Sequence, residues 1–157
     1  MGDKTQGSGI FSIYFRYDAG PFPRGVAVGG DYTKPDESTN TAAQTRTGAG
    51  NWLPAQTPPH GFRSAVAYDP QQKLWITVGP NGTDISRDDG ENWTPLKPSP
   101  QDPPDADKSW NALSLPFVVG PRGRIGKLNP KAAAMTALEL PEKHFRYVWW
   151  RHPQGMS

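Results

Sequence analysis

The chain has 157 residues, of which 18 are Pro and 17 Gly, so more than a fifth of its positions interrupt regular structure and a helical bundle is excluded. Apolar residues make up only 34%, yet six Trp, six Phe and five Tyr supply enough large apolar surface for a core. The net charge is +2, from 17 basic against 15 acidic residues, and the basic ones are scattered, not gathered into a stripe, which argues against a nucleic-acid partner.

No apolar run approaches the ~20 residues of a membrane span, and no basic-then-apolar leader opens the chain. The absence of cysteine removes disulfides, thiol nucleophiles and thiolate metal sites, and fits either redox compartment. His60, His144 and His152 are too far apart to argue a metal site, and no cofactor is implied.

Residues 1–8 are expected to be disordered. From there the chain repeats itself. Residues 11–15, 62–66 and 110–114 each begin with an aromatic and alternate apolar with small or polar residues, at spacings of 51 and 48. They read as equivalent first strands. Each is followed by a second run ending in Val-Gly, over residues 25–30, 74–79 and 117–120. A third strand follows at 41–44 and 83–86, then a Gly-containing turn and a Trp, with Trp52 falling on Trp93 at an offset of 41. The third unit reaches only a third strand, within 123–128.

Four short strands per unit of 40 to 50 residues predict an all-β partial β-propeller of four-stranded antiparallel blades, two full and a third incomplete. The blades are placed at about 9–57, 60–98 and 109–128, with Trp52, Trp75, Trp93 and Trp110 at the contacts between them. The proline-rich stretch 97–105 reads as an exposed connector, and 129–157 as a tail. Within that tail, residues 131–138 have helix propensity, and 144–152 mix basic and aromatic residues in a way that suits a strand or tail packed on the propeller edge or, less simply, a membrane surface or single-stranded nucleic acid.

Residues 86–93, Ser-Arg-Asp-Asp-Gly-Glu-Asn-Trp, fit the pattern Ser/Thr-x-Asp-x-Gly-x-x-Trp. An Asp at the third position can accept from N–H groups of its own turn, the Gly can take φ > 0, and the Trp can pack between sheets. The segment resembles the Asp box of sialidases, sortilin-type receptors and related propellers. Ser86, Asp88, Gly90 and Trp93 would be its structural residues. The first unit carries a degenerate version at 45–52, with Thr47 in place of the Asp and Ala49 in place of the Gly, so its turn should be looser.

The text around it, residues 9–13, 28–32 and 61–68, resembles bacterial propellers related to the photosystem II stability and assembly factor, over roughly 9–128. That resemblance implies a longer, exported protein, hence an extracytoplasmic location and a chain that is a fragment. It implies a fold, not an activity.

In antiparallel blades the loops joining strands one and two share a face with the Asp-box hairpins, and the two-to-three and blade-to-blade loops share the other. Function is expected on the second face, where the candidates for a polar or anionic ligand or a protein partner are Asp31, Tyr32, Glu37, His60 and Arg63, with Lys34 and Asp36 beside them. Arg63 should alternate out of an innermost strand to bind an anion, or else form a salt bridge holding the neighbouring loop. The expected function is non-catalytic binding or assembly, completed by further blades or self-association. The alternative is a sialidase-like glycoside hydrolase, for which Tyr32 and Glu37 supply residue types but no motif.

Overall fold

A computed structural model describes residues 5–17, 20–48 and 50–128. These residues are all-β, with one three-residue 3-10 turn at Pro121–Gly123. The first sheet contains β1 (Ser8–Arg16), β2 (Arg24–Asp31), β3 (Ala42–Thr45) and β4 (Leu53–Pro54), in that spatial order and antiparallel throughout. The second repeats it with β5 (Ala65–Asp69), β6 (Leu74–Val78), β7 (Thr83–Ser86) and β8 (Thr94–Pro95). The third has three strands, β9 (Ala112–Ser114), β10 (Phe117–Val119) and β11 (Ile125–Lys127), with β10 in the middle.

The sheets pack through two apolar layers that follow from strand alternation. Val26, Val28 and Ala42 of the first sheet meet Val66, Trp75 and Trp93 of the second. From the opposite face of the second sheet, Ala65, Leu74, Ile76, Val78 and Ile85 meet Trp110, Val118 and Leu128. The middle sheet is therefore covered on both faces, which is why every residue of β6 is buried, as continuous apolar strands of doubly covered sheets are.

Several boundaries differ from the expected ones. β1 begins at Ser8, and the order extends to Thr5 because its hydroxyl donates to Asp31 Oδ2 at 2.8 Å and Gly7 accepts from the Tyr32 N–H. Phe11 is the extra residue of a bulge between Ile10 and Ser12, and its ring stacks edge-on against Phe62 with centroids 4.8 Å apart. Residues 62–64 do not belong to β5: the Arg63 N–H is bonded across to Gly29 O of the first sheet, so this stretch bridges two sheets before the strand begins.

Trp110 likewise precedes β9, and its indole N–H donates to Ala106 O at 2.9 Å. Of the four Trp expected between sheets, Trp75, Trp93 and Trp110 are buried there. Trp52 instead packs on Phe15, on the side of the first sheet that faces away from the second, because Phe15 pairs with Gly25 and so alternates with Val26. The expected helix at 131–138 and the basic-aromatic stretch at 144–152 lie outside the described residues.

Candidate functional site

The β2–β3 loop, the β4–β5 connector and the β6–β7 turn meet at one end of the sheets and bring two of the polar candidates, His60 and Arg63, together at Asp84. Asp84 lies on β7 with no solvent exposure. Arg63, 1% exposed, donates Nε to Asp84 Oδ2 at 2.8 Å and Nη2 to the same oxygen, while Nη1 reaches the Phe62 carbonyl at 2.8 Å and Asn81 Oδ1. Arg63 thus does not project into solvent toward a ligand. Its position ahead of β5 turns it inward, and an ion pair buried this deeply is held by the four hydrogen bonds the guanidinium donates.

His60 takes the other carboxylate oxygen, with Nδ1 2.9 Å from Asp84 Oδ1. A carboxylate only accepts, so the Nδ1 facing it carries a proton, and the ring is otherwise open to solvent on a side chain 60% exposed. Asn81 ties the loops to this pair: its amide nitrogen donates to Pro35 O, Asp36 Oδ1 and His60 O at 2.8, 3.0 and 2.8 Å.

The remaining candidates serve their own loop. Asp31 accepts from the Thr33 hydroxyl at 2.6 Å and the Thr33 N–H at 2.9 Å, and these bonds, with that from Thr5, hold its carboxyl below the usual carboxylate range. Glu37 is lowered in the same way by the Thr39 hydroxyl and N–H. Tyr32 is exposed and meets the edge of Phe11 at 6.2 Å. Tyr32 and Glu37 are thus each engaged with a different neighbour.

Asp107, on the following connector, is buried with Oδ1 unpartnered and Oδ2 4.0 Å from Lys97 Nζ. Burial pushes its carboxyl up, against the pull of its own N–H, Lys97, Lys108 and Arg63. No group of three or more potential metal-ligating side chains occurs among the described residues, and no helix among them is long and apolar enough to cross a membrane.

At the opposite end, the segment between β7 and β8 is knitted by its own side chains. Asp88 Oδ1 accepts from Ser86 Oγ at 2.8 Å and the Asn92 N–H at 2.9 Å, and Oδ2 from the Asn92 amide at 2.9 Å. Burial would raise the Asp88 carboxyl, but the bonds from Asn92 and Ser86 outweigh it and leave it lowered. Gly90 has φ +85° and donates to Ser86 Oγ, and its carbonyl accepts from the Trp93 indole at 3.0 Å. In the first sheet the corresponding turn has only Thr47, whose N–H donates to Thr45 Oγ1 at 3.3 Å, and Ala49 lies outside the described residues.

No protein-family model, curated protein or solved structure matches this chain. Sequence reasoning missed Asp84, Asn81 and Asp107. Asp84 alternates with the apolar Ile85 in a short strand and reads as an ordinary solvent-facing position; its partners Arg63 and His60 come from a connector more than twenty residues earlier and leave no local signature.

Proposed function

We propose that this protein is a non-catalytic binding and assembly module, an open propeller segment of Asp-box type whose two end faces take up further sheets. One observation carries the reading. Val26 and Val28, which face the second sheet, correspond to Ile76 and Val78, which face the third, and these correspond to Phe117 and Val119. The first four are at most 4% exposed, whereas Phe117 and Val119 are 50% and 42% exposed.

The other end mirrors this. Leu113 pairs with Val118 and packs toward the second sheet, Val66 pairs with Thr77 and packs toward the first, and Ile13, at the same register opposite Ala27, is 51% exposed. Both ends therefore present the apolar side of an interface whose mate the chain already carries at its other end. Such complementarity favours head-to-tail contact, third sheet on first sheet, closing to a ring if the rotation permits and extending to a filament if it does not.

The knitted turn over 86–93 supports the Asp-box part of the reading: each of Ser86, Asp88, Gly90 and Trp93 is used in internal packing or bonding. Light scattering at micromolar concentration tests the assembly. Association that weakens when Phe117 and Val119 are both replaced by Ser is expected; a monomer with a cooperative melt and no dye-binding apolar surface would refute it.

A further inference from the structure

A cleft of about 630 Å³ opens between the first and second sheets at the end that carries the β1–β2 and β5–β6 turns, away from Arg63 and Asp84. Four cationic side chains line it, Arg16, Arg24, Arg46 and Lys73, with Phe22 and Tyr68 as aromatic walls, and none of the described lining residues is acidic. Two carboxylates of the neighbouring turn hold the arginines in place. Asp89 accepts from Arg16 at 2.7 Å and lies 3.3 Å from Arg24, and Glu91 accepts from Arg46 at 2.8 Å. Asp69, at the base of the turn that carries Lys73, accepts instead from the backbone N–H groups of Gln71 and Gln72.

We propose that this cleft binds a small organic phosphate monoester. Among the described residues, four cations face the two carboxylates Asp89 and Glu91, an excess of positive charge that suits a phosphate of about −1.5 to −2 charge better than a single carboxylate. Arg24 uses Nη1 on Asp89 and Arg46 uses Nη2 on Glu91, so each guanidinium, with five N–H donors, keeps an edge for the ligand. Both remain well exposed, at 36% and 49%, which lets a ligand reach them without opening the core. Arg16 is ordered further by stacking over Tyr68, 4.6 Å from the ring centroid, and by donating to its hydroxyl at 2.7 Å. Phe22, 56% exposed, offers an apolar wall for the organic body.

The test is an NMR titration of the full ¹⁵N-labelled chain with phenyl phosphate, inorganic phosphate and phenol as separate probes. Saturable shifts at residues 20–24 and 70–73 are expected with phenyl phosphate, weaker saturable shifts at the same residues with inorganic phosphate, and none with phenol. Arg46→Gln and Lys73→Gln, both at exposed positions, should each weaken phenyl phosphate roughly tenfold, the scale of a charge-assisted hydrogen bond. Non-saturating shifts, shifts centred on His60 and Asn81, or an affinity unchanged in the Arg46→Gln, Lys73→Gln double variant would overturn the assignment.

Discussion

Removing the guanidinium of Arg63 would leave the buried Asp84 carboxyl with His60 as its remaining side-chain partner. Arg63→Ala is therefore expected to destabilise by about 3 to 5 kcal/mol in urea denaturation, the cost of breaking one side of a buried pair. Asp107 gives the opposite sign. Its folded pKa is raised by burial, so the folded state loses stability as pH rises from the ordinary Asp value of 3.8 through the raised one. Asp107→Asn should raise the melting temperature at neutral pH, and the gain should vanish in acid. Asp88 is lowered instead, so its contribution is present above pH 3.8 and is lost as pH falls through the lower folded value. Asp88→Ala should cost about 1 to 2 kcal/mol at neutral pH, the scale of a lost capping interaction, and progressively less below pH 3.8.

The turn between β7 and β8 is where one element locks two sheets. A Cβ on Gly90 would meet Val26 Cγ2 of the first sheet at 2.7 Å, in a backbone conformation with φ +85°. Gly123 has a comparable φ of +71° with nothing within 4 Å of its Cβ position. Gly123→Ala should then cost about 1 kcal/mol of backbone conformation, and Gly90→Ala a further ~1 to 3 kcal/mol of overpacking, separable by comparing their thermal melts. At this scale the sequence was informative. The Val-Gly endings and the Ser86 to Trp93 pattern marked the strand order and the tight turn, because period-two alternation and positive-φ glycines leave local signatures. Strand starts were less legible. Phe62 and Trp110 look like first residues of a strand but belong to connectors, since Phe62 packs on Phe11 and the Trp110 N–H donates to Gly79 O, contacts set between segments. The basic cleft was equally hidden, because Arg16, Arg24 and Arg46 come from separate strands and turns of the first sheet, and Lys73 joins them only when the second sheet packs against it.

On the scale of the whole molecule, the described residues form a stack of three sheets with two unlike apolar ends, Ile13 at one and Phe117 with Val119 at the other. Charge does little to oppose association, since the net is only +2. Because the chain contains no cysteine, single substitutions can report which faces meet without background thiol chemistry. The most direct measurement is oxidative cross-linking of an equimolar mixture of Ile13→Cys and Val119→Cys chains, one of them carrying a mass tag. Head-to-tail stacking is expected to give the mixed 13-to-119 disulfide as the fastest-forming product; like-with-like dimers dominating, or no cross-link at micromolar concentration, would contradict it.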